Sequence, residues 1–324
     1  MKYVIAILLV CAFYPVAEVN HFSPQETTVN QWLIEPRAND GKLQLSLRMR
    51  RERDGNSFSS NHVGFGIALE QLTGLTREQM MSTSGTTVKF ELKRDAGTFH
   101  FEGWFKEGNG SGHFTFTPNS SFAADLSRQG FTGNASADQL QSLAMSDVGS
   151  AFINELKAQG YDTASVEQLV RMGNHGVRLE YLQGLKSLGY SVKTTDLVVR
   201  MKDHGVSLAF IKDLTALGYA NLTTDELVRA KDHGVTPKFI TEIGELGYKG
   251  LLLDELRRMK DHGVNPSFIK ELKELGYTNL TLQQLVRLKD HGVNANYIRR
   301  MKEKGYGDLT IEEYIRLKNR GERE

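Results

Sequence analysis

Five histidines, His175, His204, His233, His262 and His291, recur at a constant 29-residue period, and each is followed by Gly-Val. Imidazoles at a fixed period offer three kinds of chemistry: metal ligation, a proton-sensitive switch, or the closing of helices. Six arginines, Arg171, Arg200, Arg229, Arg258, Arg287 and Arg316, keep the same period. A guanidinium presents paired donors that fit both oxygens of a carboxylate, so a row of them suits an acidic partner. Elsewhere the chemistry is thin. There is no GxSxG or HExxH, and the Gly108–Gly112 run lacks the Lys-Ser/Thr of a phosphate loop. We therefore expect no catalytic, cofactor-binding or metal residues, and a hydrolase with an unrecognised site is the least favoured reading.

The ladders must be set in repeats. Gly-Tyr recurs with the His and Arg period, at 160–161, 189–190, 218–219, 247–248, 276–277 and 305–306. Residues 119–324 thus read as six full two-helix units, with a half-unit before them (Asn119 to Phe131) and one after (Thr310 to Gly321). Within a unit, Thr223 and Glu226 make a capping box, repeated at Ser136/Gln139, Ser165/Gln168, Thr281/Gln284 and Thr310/Glu313. Thr194 and Leu252 break that pattern. The first helix should end at His233, with Gly234 taking the left-handed turn and Val235 folding back on Ala230. The second should open at Thr236-Pro237 or Asn265-Pro266 and close at Gly247, with Tyr248 against Ile243. Such short helices are unstable alone, so neighbours must stack into an α-solenoid-like array.

Stacking decides between the readings of the histidines. Packed helices lie about 8–10 Å apart, whereas zinc needs each ligand nitrogen at about 2.0–2.1 Å. The His residues are therefore read as a structural helix-end ladder. Arg229 and His233 share a helix face directed away from Leu227, and Asp203, Asp232, Asp261 and Asp290 lie three residues after their arginines. Those spacings predict local Arg–Asp pairs. Two readings of the arginines stay open, a solvated surface and a partner-binding face.

Ahead of the repeats, residues 18–118 alternate with period two: Leu43, Leu45, Leu47 and Met49; Val63, Phe65, Ile67 and Leu69; Val88, Phe90 and Leu92; Phe99 and Phe101; Phe114 and Phe116. Five strands joined by hairpins, one of them looping at Gly108–Gly112, predict a small antiparallel β domain and an α+β fold overall. Gly103-Trp104-Phe105 suggests a bulge, and Thr73 to Met81 a helical turn. Residues 1–17 carry a basic start, an uncharged run and Ala17, the pattern of a secretory signal peptide. Retention as an anchor is the alternative. Once the segment is cut, no stable membrane span is expected. The lone Cys11 falls inside it, so no disulfide framework is expected. With 40 Lys and Arg against 39 Asp and Glu in 324 residues, no charge footprint for nucleic acid exists.

Two stretches resemble known sequences. Residues 88–126, with Glu-Gly-Trp-Phe and Gly-Ser-Gly-His-Phe-Thr-Phe, are similar to a segment of secreted bacterial proteins. The Asp-His-Gly-Val and Glu-Leu-x-x-Leu-Gly-Tyr repeats resemble the extracytoplasmic tail of some BlaR-type antirepressor sensors of the zinc metallopeptidase class. The peptidase's HExxH is absent here, so the resemblance implies an extracytoplasmic part without peptidase activity. The expectation is a secreted or periplasmic, non-enzymatic scaffold for protein interaction or sensing. A binding module for cell-wall or other anionic polymer is the alternative.

Overall fold

The computed structural model describes residues 30–37, 41–53 and 57–321. The expected signal peptide, 1–17, lies outside the described residues. The fold is α+β: an antiparallel, curled seven-stranded sheet followed by a regular helical array. One compact unit comprises the described residues up to Glu91 together with His100–Thr115. The other comprises Leu92–Phe99 and the described residues from Phe116 onward.

The strands are β1 (Gln31–Pro36), β2 (Leu43–Arg53), β3 (Ser57–Ile67), β4 (Leu72–Thr73), β5 (Thr86–Arg94), β6 (Gly97–Lys106) and β7 (Asn109–Pro118), in spatial order β3-β2-β1-β7-β6-β5-β4. A single turn, α1 (Arg77–Met80), lies between β4 and β5. Two strands exceed the five expected. β4 has only two residues, and β1 hides its alternation because Leu33, flanked by the buried Trp32 and Ile34, faces outward at 41% exposure. β1 nonetheless joins the two halves of the sheet, antiparallel to both β2 and β7.

Two expectations about the glycines are corrected. The β6–β7 turn is Glu107-Gly108, both at positive φ, and the rest of the Gly-rich run is strand rather than loop. β6 also runs on without a bulge, keeping Phe99, Phe101 and Phe105 inward and Trp104 outward. The reason is Trp32. A Cβ on Gly112 would lie 2.0 Å from the Glu102 carbonyl and 2.8 Å from Trp32 Nε1, and one on Gly103 would lie 2.7 Å from the Trp32 ring. These glycines form the floor on which the indole rests, edge-on to Phe90 and Phe101, with its N–H donating to the Glu102 carbonyl at 3.1 Å.

The helical unit opens with α2 (Ser120–Arg128). Six pairs follow: α3 (Ala137–Met145) with α4 (Ser150–Gln159), α5 (Val166–Asn174) with α6 (Leu179–Ser187), and α7 (Thr195–Asp203) with α8 (Leu208–Ala216). Next come α9 (Thr224–Asp232) with α10 (Pro237–Glu245), α11 (Leu253–Asp261) with α12 (Pro266–Glu274), and α13 (Leu282–Asp290) with α14 (Ala295–Glu303). α15 (Ile311–Asn319) ends the described array. First helices pack on first helices and second on second, giving two layers. Each first helix buries a stripe such as Leu227, Val228 and Ala230, and each second helix one such as Phe239, Ile240 and Ile243.

Local chemistry sets the helix boundaries. Thr223 accepts from the Glu226 amide at 3.2 Å while the Glu226 carboxylate accepts from the Thr223 amide at 2.7 Å. Those bonds from Thr223, amide first and hydroxyl second, hold the Glu226 carboxyl below its ordinary 4.5. Its contribution is therefore present above pH 4.5 and lost as the pH falls below that value. α9 closes in a Schellman motif: the Gly234 amide donates to the Lys231 carbonyl at 3.0 Å and the Val235 amide to the Ala230 carbonyl at 2.8 Å, with Gly234 at φ +67°. At α11 only half of the box survives, because Glu255 accepts from the Leu252 amide while the Leu252 side chain accepts nothing.

Two stability changes should follow, read from urea midpoints at constant slope. Gly234→Val should lower stability by at least about 1 kcal/mol, since a β-branched residue resists that φ, whereas the exposed Lys212→Ala should change it by less than about 0.5 kcal/mol. Leu252→Thr should raise stability by about 1 kcal/mol by restoring the missing cap.

Candidate functional site

The segment Arg-x-Lys-Asp-His at the end of the first helices binds repeats to one another. Each Lys sits over an aromatic ring of the preceding repeat: Lys202 over Tyr181 (4.8 Å to the ring centre), Lys231 over Phe210 (4.3 Å), Lys260 over Phe239 (4.8 Å), Lys289 over Phe268 (4.4 Å) and Lys318 over Tyr297 (4.5 Å). Tyrosines add backbone ties, as Tyr219, Tyr248 and Tyr277 donate to the carbonyls of Leu251, Leu280 and Leu309 at 2.7–2.8 Å.

The histidines occupy the C-cap positions expected for them, and their rings reach across to the next repeat. His175 meets Asp203 at 2.6 Å, His204 meets Asp232 and His233 meets Asp261 at 2.5 Å, and His262 meets Asp290 at 2.6 Å. His291 meets Asn319 at 3.0 Å. This corrects the expected local Arg–Asp pairs: each Asp faces the imidazole of the preceding repeat, not the Arg three residues before it. Stacking favours the longer reach because the two residues lie at the same helix end in adjacent repeats. Among the described residues no three His, Cys, Asp or Glu side chains converge on a point that would hold a metal ion.

The arginines point outward, away from the buried Leu227 row, and also reach forward. Arg171 pairs with Asp196, Arg200 with Asp225 at 2.7 Å and Arg287 with Glu312 at 2.8 Å, always across the same sequence interval into the next repeat. None of these is the Asp at i+3.

The ladder is interrupted in the middle. The acid that would meet Arg229 is Asp254, but Asp254 pairs with Arg257 at 3.1 Å. Arg257 stands where the other first helices carry Val199, Val228, Val286 or Ile315, all buried. Arg258 has Gln283 at the corresponding place, which bears no charge. Arg229 and Arg258, on adjacent stacked helices, thus make no salt bridge to the next repeat among the described residues, while the charge of Arg229 acts on Glu226 of its own helix. Arg316, on α15, makes none either among the described residues. Comparison of the repeat copies contains this signal: Arg257 is the one basic residue in a position that is otherwise aliphatic from Val170 to Ile315.

The same repeat borders an open groove of about 870 Å³. Leu217, Ile240, Tyr248 and Leu252 supply its apolar lining, with Glu226 and Asp254 at its first-helix edge. Leu252 is 69% exposed.

Removing one His–Asp tie should cost little, because both partners are about two-fifths exposed and solvent screens them. A double-mutant cycle on His233→Ala and Asp261→Ala should give a coupling of about 0.2–1 kcal/mol, read from chemical denaturation. Lys231→Ala should cost about 0.5–1 kcal/mol through loss of its contact with Phe210. No protein-family model matches the chain, and no curated protein sequence matches it.

Proposed function

We propose that this chain is a non-enzymatic, extracytoplasmic interaction scaffold whose helical array holds a protein partner through Arg229 and Arg258. The observation that carries this reading is the interruption of the arginine ladder. Where a guanidinium serves the stack, an acid of the next repeat meets it, as at Arg171, Arg200 and Arg287. At Arg229 and Arg258 that acid is diverted or replaced. Solenoids commonly present such regular faces to partners. Stacked helices set the two side chains about 10 Å apart, the span of about three residues of an extended acidic segment.

The charge pattern of residues 1–17 and the resemblance to BlaR-type tails support export. No helix among the described residues is long and apolar enough to cross a membrane.

The test compares the exported chain with Arg229→Gln/Arg258→Gln and with Arg171→Gln/Arg200→Gln as immobilised baits in periplasmic extract. The first double variant should lose a protein retained by the wild type while keeping its melting temperature. The second should retain the partner and melt lower. Recovery of a glycan without protein would favour the polymer-binding alternative, and equal capture by all three baits would exclude the arginine face.

A further inference from the structure

We infer that the sheet carries a ligand site of its own, a groove on its outer face that takes a small organic carboxylate with an apolar body. The site is independent of Arg229 and Arg258. Strand register creates it. His62, Arg48, Gln31 and His113 stand opposite one another across β3, β2, β1 and β7. The next outward row on the same strands reads Gly64, Ser46, Leu33 and Ser111. Long polar side chains thus border a row of small ones from which only Leu33 stands up. Along these rows runs an open groove of about 760 Å³, a size suited to a small molecule.

The polar groups gathered there tie nothing in the fold. Among the described residues, the side chains of Arg48, His62, Gln31, Ser46 and Ser111 make no hydrogen bond or ion pair with the protein. On the adjoining β5 and β6, polar side chains close on one another instead. Lys89 meets Glu102 at 2.7 Å, and His100 meets Glu91 at 3.0 Å. The half of the face that holds the groove is the half left unpaired.

Charge and shape select the occupant. Among the described residues, Arg48 is the one permanently charged group lining the groove, and no carboxylate lines it. Glu102 lies 3.8 Å from His113 but is held by Lys89. Glu35 is four residues along β1 from Gln31, the neighbour of Arg48. That is about 13 Å, beyond the ~10 Å over which exposed charges act in salt. A single guanidinium suits a single carboxylate, which it grips through both oxygens. Leu33, 41% exposed, is the diagonal neighbour of Arg48, at about 7–8 Å. A carboxylate held by Arg48 therefore lays its carbon chain on Leu33, with the Gln31 amide and the serine hydroxyls beside it.

The probes are hexanoate, hexan-1-ol and acetate, titrated into the full chain at one ionic strength. The readout is the NMR signal of the Trp32 indole N–H, since Trp32 borders the groove. The chain has two tryptophans, so Trp104→Phe identifies that signal. Hexanoate should bind on the order of ten-fold more tightly than the alcohol, which lacks the charge, or acetate, which lacks the chain. Arg48→Gln should bring hexanoate down to the level of the alcohol without lowering the melting temperature. Leu33→Ser should bring it down to the level of acetate. If hexanoate and hexan-1-ol bind equally, or Arg48→Gln leaves hexanoate unchanged, the carboxylate reading is overturned. A hexanoate preference over acetate that survives Leu33→Ser overturns the apolar subsite. A Trp32 signal that hexanoate does not move overturns the site itself.

Discussion

A nine-residue helix in water cannot recover the free energy of its own nucleation, and the repeats of this protein are made of pairs of such short helices. The array therefore exists only as a stack. Each aliphatic stripe is covered by the corresponding stripe of the next copy, first helix on first helix and second on second. From this need follows the strict sequence period itself, since any insertion that shifted one stripe would uncover two. The polar residues obey the same rule. Lysines reach back to an aromatic ring, four of the five histidines and three of the six ladder arginines reach forward to an acid, and tyrosine hydroxyls reach forward to a carbonyl. Each such contact is weak and partly exposed, so cohesion comes from the apolar stripes and the polar ties fix how far one copy turns on the next.

Much of the array was legible in the sequence because helix boundaries are local matters. Thr223 with Glu226, Gly234 with Val235, and Pro237 after Thr236 each act within a few residues, and each appears where its spacing placed it. The sheet was less legible. β1 owes its place to β7, far along the chain, as well as to the next strand β2, and its Trp-Leu-Ile run conceals which residue faces inward. The glycines of β7 read as a loop until Trp32 is seen to lie on them, a contact between residues far apart in sequence.

The candidate site was half visible. The period of the arginines is plain, but their partners sit in the following repeat, and spacing within one helix pointed to the wrong aspartates. Helical geometry makes i+3 neighbours available, yet it does not say which neighbour wins when a stacked helix offers a better-placed carboxylate. Arg257 was the informative residue, a charge in a row of valines, and its meaning depends on the pair it makes with Asp254.

Because every tie runs from one copy to the next by the same rule, the copies are interchangeable links. Excision of one whole repeat would bring together faces already shaped to meet, and a duplication would lengthen the chain of links without a new kind of joint. Array length is thus free to drift through gain and loss of copies, and a population of related genes would be expected to vary in it. What cannot drift in this way is the copy that breaks the rule. With Leu252 and Arg257 gathered in a single link, both departures would move, double or vanish as one piece, and the rest of the array would close up around them.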